Sequence, residues 1–204
     1  MQSDKQVFFR DYVFRVAENV YEPAEDSFLF AENLEVHEGE RVVDIGTGCG
    51  ILGIVAAAKA DEVLAIDISP RAVRCAKGNA ELNHMAHKIC FIQGDLFGPA
   101  RAGESFDLVL FNAPYLPSEE QKEDSWLGWA WNGGKTGRDV IDQFVNAVPR
   151  YLTQEGRVLL MQSTLSDVER TLTQCRQKSL KARVIANRDL PFFETIVLVE
   201  AERF

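Results

Sequence analysis

The stretch Arg41-Val-Val-Asp-Ile-Gly-Thr-Gly-Cys-Gly50 decides the fold. A β-branched apolar run ends at an acid and then meets three glycines at alternate positions. Val42, Val43 and Ile45 suit a buried parallel strand, and Gly46, Gly48 and Gly50 permit positive φ and a close approach of ligand to backbone. Ile51 to Ala60 then reads as a helix. Strand, tight turn and helix predict an α/β fold whose ligand crevice lies beyond the C-terminal ends of the strands.

A dinucleotide-binding loop would want a glycine where Ile51 stands, so the match to that pattern is incomplete. Asp44 discriminates further. A carboxylate at the strand end suits a cationic ligand better than a pyrophosphate, and S-adenosylmethionine, with its ammonium and sulfonium, is such a ligand.

Outward from this loop, acids recur at strand ends. Glu62-Val-Leu-Ala-Ile-Asp67 is a second apolar strand, followed by Ser69-Pro70, a good cap and first-turn pair for a helix from Arg71 to about Asn83. Asp67 lies twenty-one residues after Gly46, where such folds place an acid that accepts from an adenosine ribose. Dehydrogenases share that acid, so a nicotinamide-dependent oxidoreductase remains a rival reading. A third strand within Lys88 to Gln93 ends in Gly94-Asp95-Leu96, where Asp95 suits an adenine amino group and Leu96 the ring face, unless the pair is an ordinary turn.

Ser105-Phe-Asp-Leu-Val-Leu-Phe-Asn-Ala-Pro-Tyr115 is the second informative stretch, a buried strand expected to deliver Asn112, Ala113, Pro114 and Tyr115 to the same crevice. A planar nitrogen, in a carboxamide or an exocyclic base amine, is a poor nucleophile because its lone pair is delocalised. The Asn112 side-chain oxygen and the Ala113 carbonyl could take both of its N–H protons and favour the pyramidal form that attacks a methyl group. Pro114 stiffens the turn and Tyr115 supplies an aromatic wall. The plain alternative is a proline turn after a strand.

Before the glycine loop, residues 1–20 read as a short strand or cap segment. In Val20-Tyr-Glu-Pro-Ala-Glu-Asp-Ser27, Pro23 suits a first helical turn and Glu25 and Asp26 suit a helix N-terminus, with Tyr21, Pro23 and Ser27 as a lid over the ligand. Beyond the clamp, Leu116 to Gly137 is a long segment read as a substrate-binding rim, acidic at Glu119, Glu120, Glu123 and Asp124, with Trp126, Trp129 and Trp131 packed beneath. A helix from Thr136 or Gly137 to Val148, a strand at Arg157 to Met161, a helix from Ser166 to about Lys178 and a strand pair at Lys181 to Ala186 and Thr195 to Glu200 complete the chain.

Length and composition bound the function. The 204 residues, 46% hydrophobic, can bury a full core, and one domain spanning 1–204 is expected. The formal net charge of −9 argues against a protein that grips a nucleic-acid backbone unaided. No long apolar run and no export leader is read, which predicts a cytoplasmic protein without membrane insertion. Cys49, Cys75, Cys90 and Cys175 form no C-x-x-C pair and read as reduced, buried residues. His84 and His87 are spaced to share a helix face but lack a third ligand, so no metal is assigned.

Tyr21-Glu-Pro-Ala-Glu-Asp-Ser, Asp44-Ile-Gly-Thr-Gly-Cys-Gly, Asn112-Ala-Pro-Tyr and Trp131-Asn-Gly-Gly-Lys-Thr-Gly-Arg138 together resemble the HemK-like class I methyltransferases over roughly residues 20–200. The Tyr-Glu-Pro-Ala-Glu-Asp block and the lack of room for an N-terminal helical substrate domain resemble the archaeal and eukaryotic branch. The resemblance implies a Rossmann-like fold with a seven-stranded, mostly parallel sheet, helices on both faces and an antiparallel C-terminal strand. It implies transfer of a methyl group from S-adenosylmethionine to the glutamine amide of the Gly-Gly-Gln motif in a class I peptide-chain release factor, in translation termination. It further implies cofactor contacts at Tyr21, Ser27, Asp44, Gly46, Gly48, Asp67, Asp95, Leu96 and Asn112, a substrate clamp at Asn112 to Tyr115, and a small zinc-binding activator protein docked on the Ile89 to Ile92 edge. Ala113 departs from the family's usual proline, which loosens the turn by on the order of 0.4–1 kcal/mol. Rival acceptors for the same clamp are adenine or cytosine amines of nucleic acid and protein lysine; a non-catalytic scaffold is the remaining alternative.

Overall fold

A computed structural model of the chain describes residues 5–118 and 126–203. It forms two compact units, Met1–Ala100 and Arg101–Phe204.

The first unit opens with an antiparallel hairpin of β1 (Lys5–Phe9) and β2 (Tyr12–Val16), so the expected strand or cap is two strands with Arg10 turning at φ 51°. Helix α1 (Glu25–Glu32) follows, and Pro23 lies ahead of it rather than in its first turn, because Ala24 is the N-cap. Strand β3 (Arg41–Ile45), helix α2 (Ile51–Ala56), strand β4 (Glu62–Asp67), helix α3 (Pro70–Leu82) and strand β5 (Ile89–Gln93) then alternate. The three strands are parallel in the order β5-β4-β3, with Val43 beside Leu64 and Leu64 beside Cys90. Short-range hydrogen bonds (Ala58 N to Val55 O, Lys59 N to Ala56 O) tighten the chain after Ala56 and shorten α2 relative to expectation. The Ser69 hydroxyl accepts from Arg71 N and Ala72 N, which caps α3 as its sequence predicts.

One expectation fails here. His84 and His87 do not share a helix face: α3 ends at its Asn83 cap, His84 turns at φ 61° and His87 sits in a separate 3-10 turn. The β5 strand is apolar in sequence yet only Ile89 is buried, with Phe91 and Ile92 half-buried and Cys90 exposed, because β5 is the margin of the sheet.

In the second unit, β6 (Phe106–Asn112), α4 (Trp126–Trp131), α5 (Asp139–Ala147), β7 (Leu152–Ser163), α6 (Val168–Gln177), β8 (Leu180–Asp189) and β9 (Thr195–Arg203) follow one another. The order is β6-β7-β9-β8, parallel between β6 and β7 and antiparallel on both sides of β9. Strands β3 to β9 are the seven strands of the mostly parallel sheet with an antiparallel C-terminal strand that the resemblance implies. The core of this unit is built from Leu108, Val109, Leu110 and Phe111 of β6, Leu159 to Met161 of β7, and Ile141 and Phe144 of α5. Phe111 and Phe144 rings lie 4.6 Å apart. Burying each such side chain contributes about 1.5–3 kcal/mol. The acids Glu119, Glu120, Glu123 and Asp124 and the side chain of Trp129 lie outside the described residues. Trp126 is exposed, so it does not pack beneath the rim.

Candidate active site

The glycine loop between β3 and α2 carries positive φ at Gly46 (65°), Gly48 (58°) and Gly50 (91°), conformations that L side chains rarely adopt. A Cβ on Gly50 would press on Cα and Cβ of Ala76 in α3 at 3.1 Å, so this glycine lets α3 close on the loop. A Cβ on Gly48 would meet nothing nearer than the Gly46 carbonyl at 3.9 Å, so the loop offers open backbone there.

Asp44 ends the apolar run of β3 and is 1% exposed. Its Oδ2 accepts from Thr47 Oγ1 at 2.6 Å and from Gly53 N at 3.0 Å, while its buried Oδ1 accepts from no described residue. Burial pushes its pKa up to about 7 against the lowering effect of the Thr47 and Gly53 hydrogen bonds, with a further rise from the Asp67 charge. A buried carboxylate oxygen without a protein donor fits a ligand that brings a cation or a hydrogen-bond donor. Gly53, which the sequence reading did not single out, holds Asp44: a Cβ there would lie 3.0 Å from Asp44 Oδ2. Its signal in the sequence was a glycine two residues into an otherwise apolar helix.

Asp67, at the end of β4, accepts from Gly48 N at 2.9 Å through Oδ2 and from Ser69 N at 2.8 Å through Oδ1. It braces the glycine loop as well as standing at the strand end, and burial raises its pKa. Each oxygen keeps a second lone pair for a hydroxyl donor. Gly94 N donates to the Asp67 carbonyl at 2.9 Å, which sets the end of β5 beside it. Beyond that, Asp95 is exposed and Leu96 is half-buried with φ 45°, an unusual conformation for a branched residue and the kind kept where function requires it.

Tyr21 and Ser27 meet on one acid that the sequence reading gave only a helix-capping role. Asp26 Oδ1 accepts from Tyr21 Oη at 3.1 Å, Ser27 Oγ at 3.2 Å and Ser27 N at 2.6 Å. Asn79 of α3 was missed entirely. Its Nδ2 donates to the Cys49 carbonyl at 2.8 Å and to the Arg15 carbonyl at 2.9 Å, and its Oδ1 accepts from Arg15 N at 2.8 Å. Glycine loop and N-terminal hairpin therefore share one side chain, a long-range role with no local signature.

In the second unit, Asn112 is half-buried as the last residue of β6, beside Met161 of β7. Ala113 is buried and its N–H donates to the Met161 carbonyl at 3.4 Å. Pro114 is half-buried and Tyr115 is buried. The chain after the turn is laid along the loop that follows α4: Leu116 N donates to Trp131 O at 3.1 Å and Gly133 N to Leu116 O at 2.9 Å. A Cβ on Gly133 would come within 2.7 Å of the Pro114 carbonyl. Asn112, Ala113, Pro114 and Tyr115 thus form one turn backed by a glycine loop.

Residues 20–128 match the model of the methyltransferase small domain. The chain is 41% identical over 181 residues, 88% of its length and 90% of the other's, to a protein of Methanocaldococcus jannaschii with the provisional designation protein N5-glutamine methyltransferase. It is 31% identical over 192 residues to the methyltransferase HEMK2 of Homo sapiens, covering 88% of this chain and 89% of that one. Among solved structures it is similar to the E. cuniculi Mtq2-Trm112 complex responsible for methylation of the eRF1 translation termination factor. The TM-score is 0.70 at 25% identity, over 91% of this chain and 99% of the other.

Proposed function

The chain belongs to the methyltransferase small-domain family, and from that membership we propose that it methylates the glutamine side-chain amide of the Gly-Gly-Gln motif in a class I peptide-chain release factor. The observation that carries the substrate reading is 41% identity, across nearly the whole chain, to a relative designated an N5-glutamine methyltransferase. The likeness to the eRF1-methylating complex supports the same acceptor.

S-adenosylmethionine fits the first unit. The Asp44 oxygen without a protein donor would receive the ligand's cationic or hydroxyl-bearing part, Gly46 and Gly48 would offer backbone, Asp67 would accept from ribose hydroxyls, and Asp95 and Leu96 would flank the base. Tyr21 and Ser27, tied together by Asp26, would close over it. Bound there, the cofactor supplies an electrophilic methyl group on a sulfonium. In the second unit the Asn112 side-chain oxygen and the Ala113 carbonyl would each accept one N–H of the glutamine amide. They would hold the nitrogen and draw its lone pair out of conjugation, with Tyr115 as a wall for the flat amide. No strong base is needed, because positioning carries the step and the amide proton leaves to solvent.

The β5 margin at Ile89 to Ile92 would dock a small zinc-binding activator protein; its exposed Cys90 and half-buried Phe91 and Ile92 on an edge strand support that use. No described helix is long and apolar enough to cross a membrane. A translation-factor methyltransferase would work in the cytoplasm.

The test is methyl incorporation from labelled S-adenosylmethionine, with and without the activator, into a release factor, a release factor whose Gly-Gly-Gln glutamine is replaced, transfer RNA and duplex DNA. Label in the intact release factor alone supports the reading; label in nucleic acid overturns it.

A further inference from the structure

We propose that Arg138 is a positioning residue for the acceptor turn: its buried guanidinium locks the Asn132 to Gly137 loop against the backbone of Pro114 and Tyr115. The inference rests on the reading of Asn112 to Tyr115 as the amide clamp.

Arg138 is 2% exposed, and all three guanidinium nitrogens are engaged. Nε and Nη2 donate to Asp142 Oδ1 at 2.9 and 2.8 Å. Nη1 donates to the Ser166 carbonyl, to the Asp167 carbonyl at 2.7 Å and to Thr171 Oγ1 at 2.9 Å, and Nη2 also donates to Gln174 Oε1 at 2.9 Å. The fork therefore joins the start of α5 to the start of α6.

From that anchor two paths reach the turn. The first runs through Gly137, at φ 71°, whose Cβ would overlap the Tyr115 carbonyl oxygen and sit 3.1 Å from Ser166 Cβ. Upstream, Ser118 N donates to Gly134 O at 2.9 Å and Gly134 N to Asn132 Oδ1 at 2.8 Å, so the loop lies along the chain that leaves the turn. The second path runs through Ser166, whose hydroxyl donates to the Ser163 carbonyl at 2.8 Å and accepts from Gln162 Nε2 at 3.3 Å. Gln162 follows Met161, whose carbonyl accepts from Ala113 N.

Helix stability alone does not account for this residue. Arg138 occupies the N-cap of α5 and reaches the first turn of α6, where a cation opposes both helix dipoles and a short polar side chain is the usual cap. A buried charge that breaks the local rule at two helix ends points to a geometric demand. A planar fork with fixed donor directions meets that demand; an ammonium does not.

Arg138→Lys keeps the charge and removes the fork. In wild type and variant, the experiment reads kcat and KM for the release factor, calorimetric affinity for S-adenosylhomocysteine, and amide hydrogen exchange of the free protein. The expected result is kcat lowered roughly 10- to 100-fold with cofactor affinity within about twofold. The Leu116, Ser118 and Gly133 amides should exchange at least about tenfold faster while Val158 to Met161 keep wild-type protection. Gly137→Ala, which leaves Arg138 in place and pushes on the Tyr115 carbonyl, should give the same pattern. Wild-type kcat and exchange in folded variants would overturn the proposal. So would exchange that rises equally across β7, or failure of both variants to fold, since either assigns Arg138 to global stability. A wild-type protein that does not methylate the release factor would overturn the proposed substrate instead, and the exchange readout, which needs no substrate, would still decide the role of Arg138.

Discussion

Thr47 Oγ1 donates to Asp44 Oδ2 at 2.6 Å, and because the Gly53 N–H falls on that same oxygen, the other carboxylate oxygen is left buried with no donor among the described residues. The loop that follows β3 and the helix after it therefore orient a single acceptor toward whatever the loop binds. Its affinity and its cost have the same origin, a carboxylate held out of water.

That cost is visible in the free protein. Burial raises the folded-state pKa of Asp44 to about 7 from 3.8, so the folded chain holds this proton more tightly than the unfolded one. Stability from the protonated carboxyl is present at low pH and is lost between about pH 4 and pH 7, by on the order of 4 kcal/mol. Asp44→Asn should therefore melt above wild type near pH 8, with the gap closing toward pH 5, in thermal denaturation without cofactor. A gap that stays constant with pH would contradict the assignment.

Cofactor affinity should move the opposite way. A cationic ligand meets a full carboxylate only above the Asp44 pKa, so wild-type affinity for S-adenosylmethionine should rise through about pH 7. Asp44→Asn should bind at least about tenfold more weakly near pH 8 and show little pH dependence in calorimetry. Unchanged affinity in the variant would remove Asp44 from the site.

Asn79 and Asn83 separate hairpin docking from loop support. Among the described residues the Asn83 side chain bonds the hairpin at Val13 and its own helix, whereas Asn79 holds Arg15 and the Cys49 carbonyl together. Each Ala variant should lose about 2–3 kcal/mol in urea denaturation, from backbone groups left unpaired. Only Asn79→Ala should also weaken cofactor binding; equal binding losses in both would show that the hairpin itself, and not the shared side chain, supports the loop.

Gly50→Ala places a Cβ at φ 91° and 3.1 Å from Ala76. The strained backbone and the displaced α3 should cost about 1–3 kcal/mol and reduce cofactor affinity. A variant as stable as wild type by chemical denaturation would mean that α3 does not close on the loop.

What was legible in the sequence followed chemistry that sits at strand ends. Asp44 and Asp67 stand out because an acid closing an apolar run has no local structural need, and Ser69 with Pro70 marks a helix start by its own side chain. Strand β7 begins at Leu152, which pairs with Phe106, and the polar run Thr153 to Glu155 hides that start in the sequence. The roles of Asp26, Gly53, Asn79 and Arg138 were not legible, for two reasons. Gly53, Asn79 and Arg138 act on groups that folding brings near, across as many as 64 residues for Asn79, whereas Asp26 binds its neighbours Tyr21 and Ser27 and was hidden because an acid in a first helical turn already has a capping role. Ala113 shows the converse: the departure from proline is plain in the sequence, and the buried alanine with its N–H on Met161 occupies the turn regardless.

Amide methylation held by Asn112 is tested by tandem mass spectrometry of a class I release factor incubated with this protein, the activator and S-adenosylmethionine. The Gly-Gly-Gln glutamine should gain the mass of one methylene, and Asn112→Ala should abolish that gain while keeping S-adenosylhomocysteine binding. An unmodified glutamine with wild-type protein that binds the cofactor, or full modification by Asn112→Ala, would contradict it.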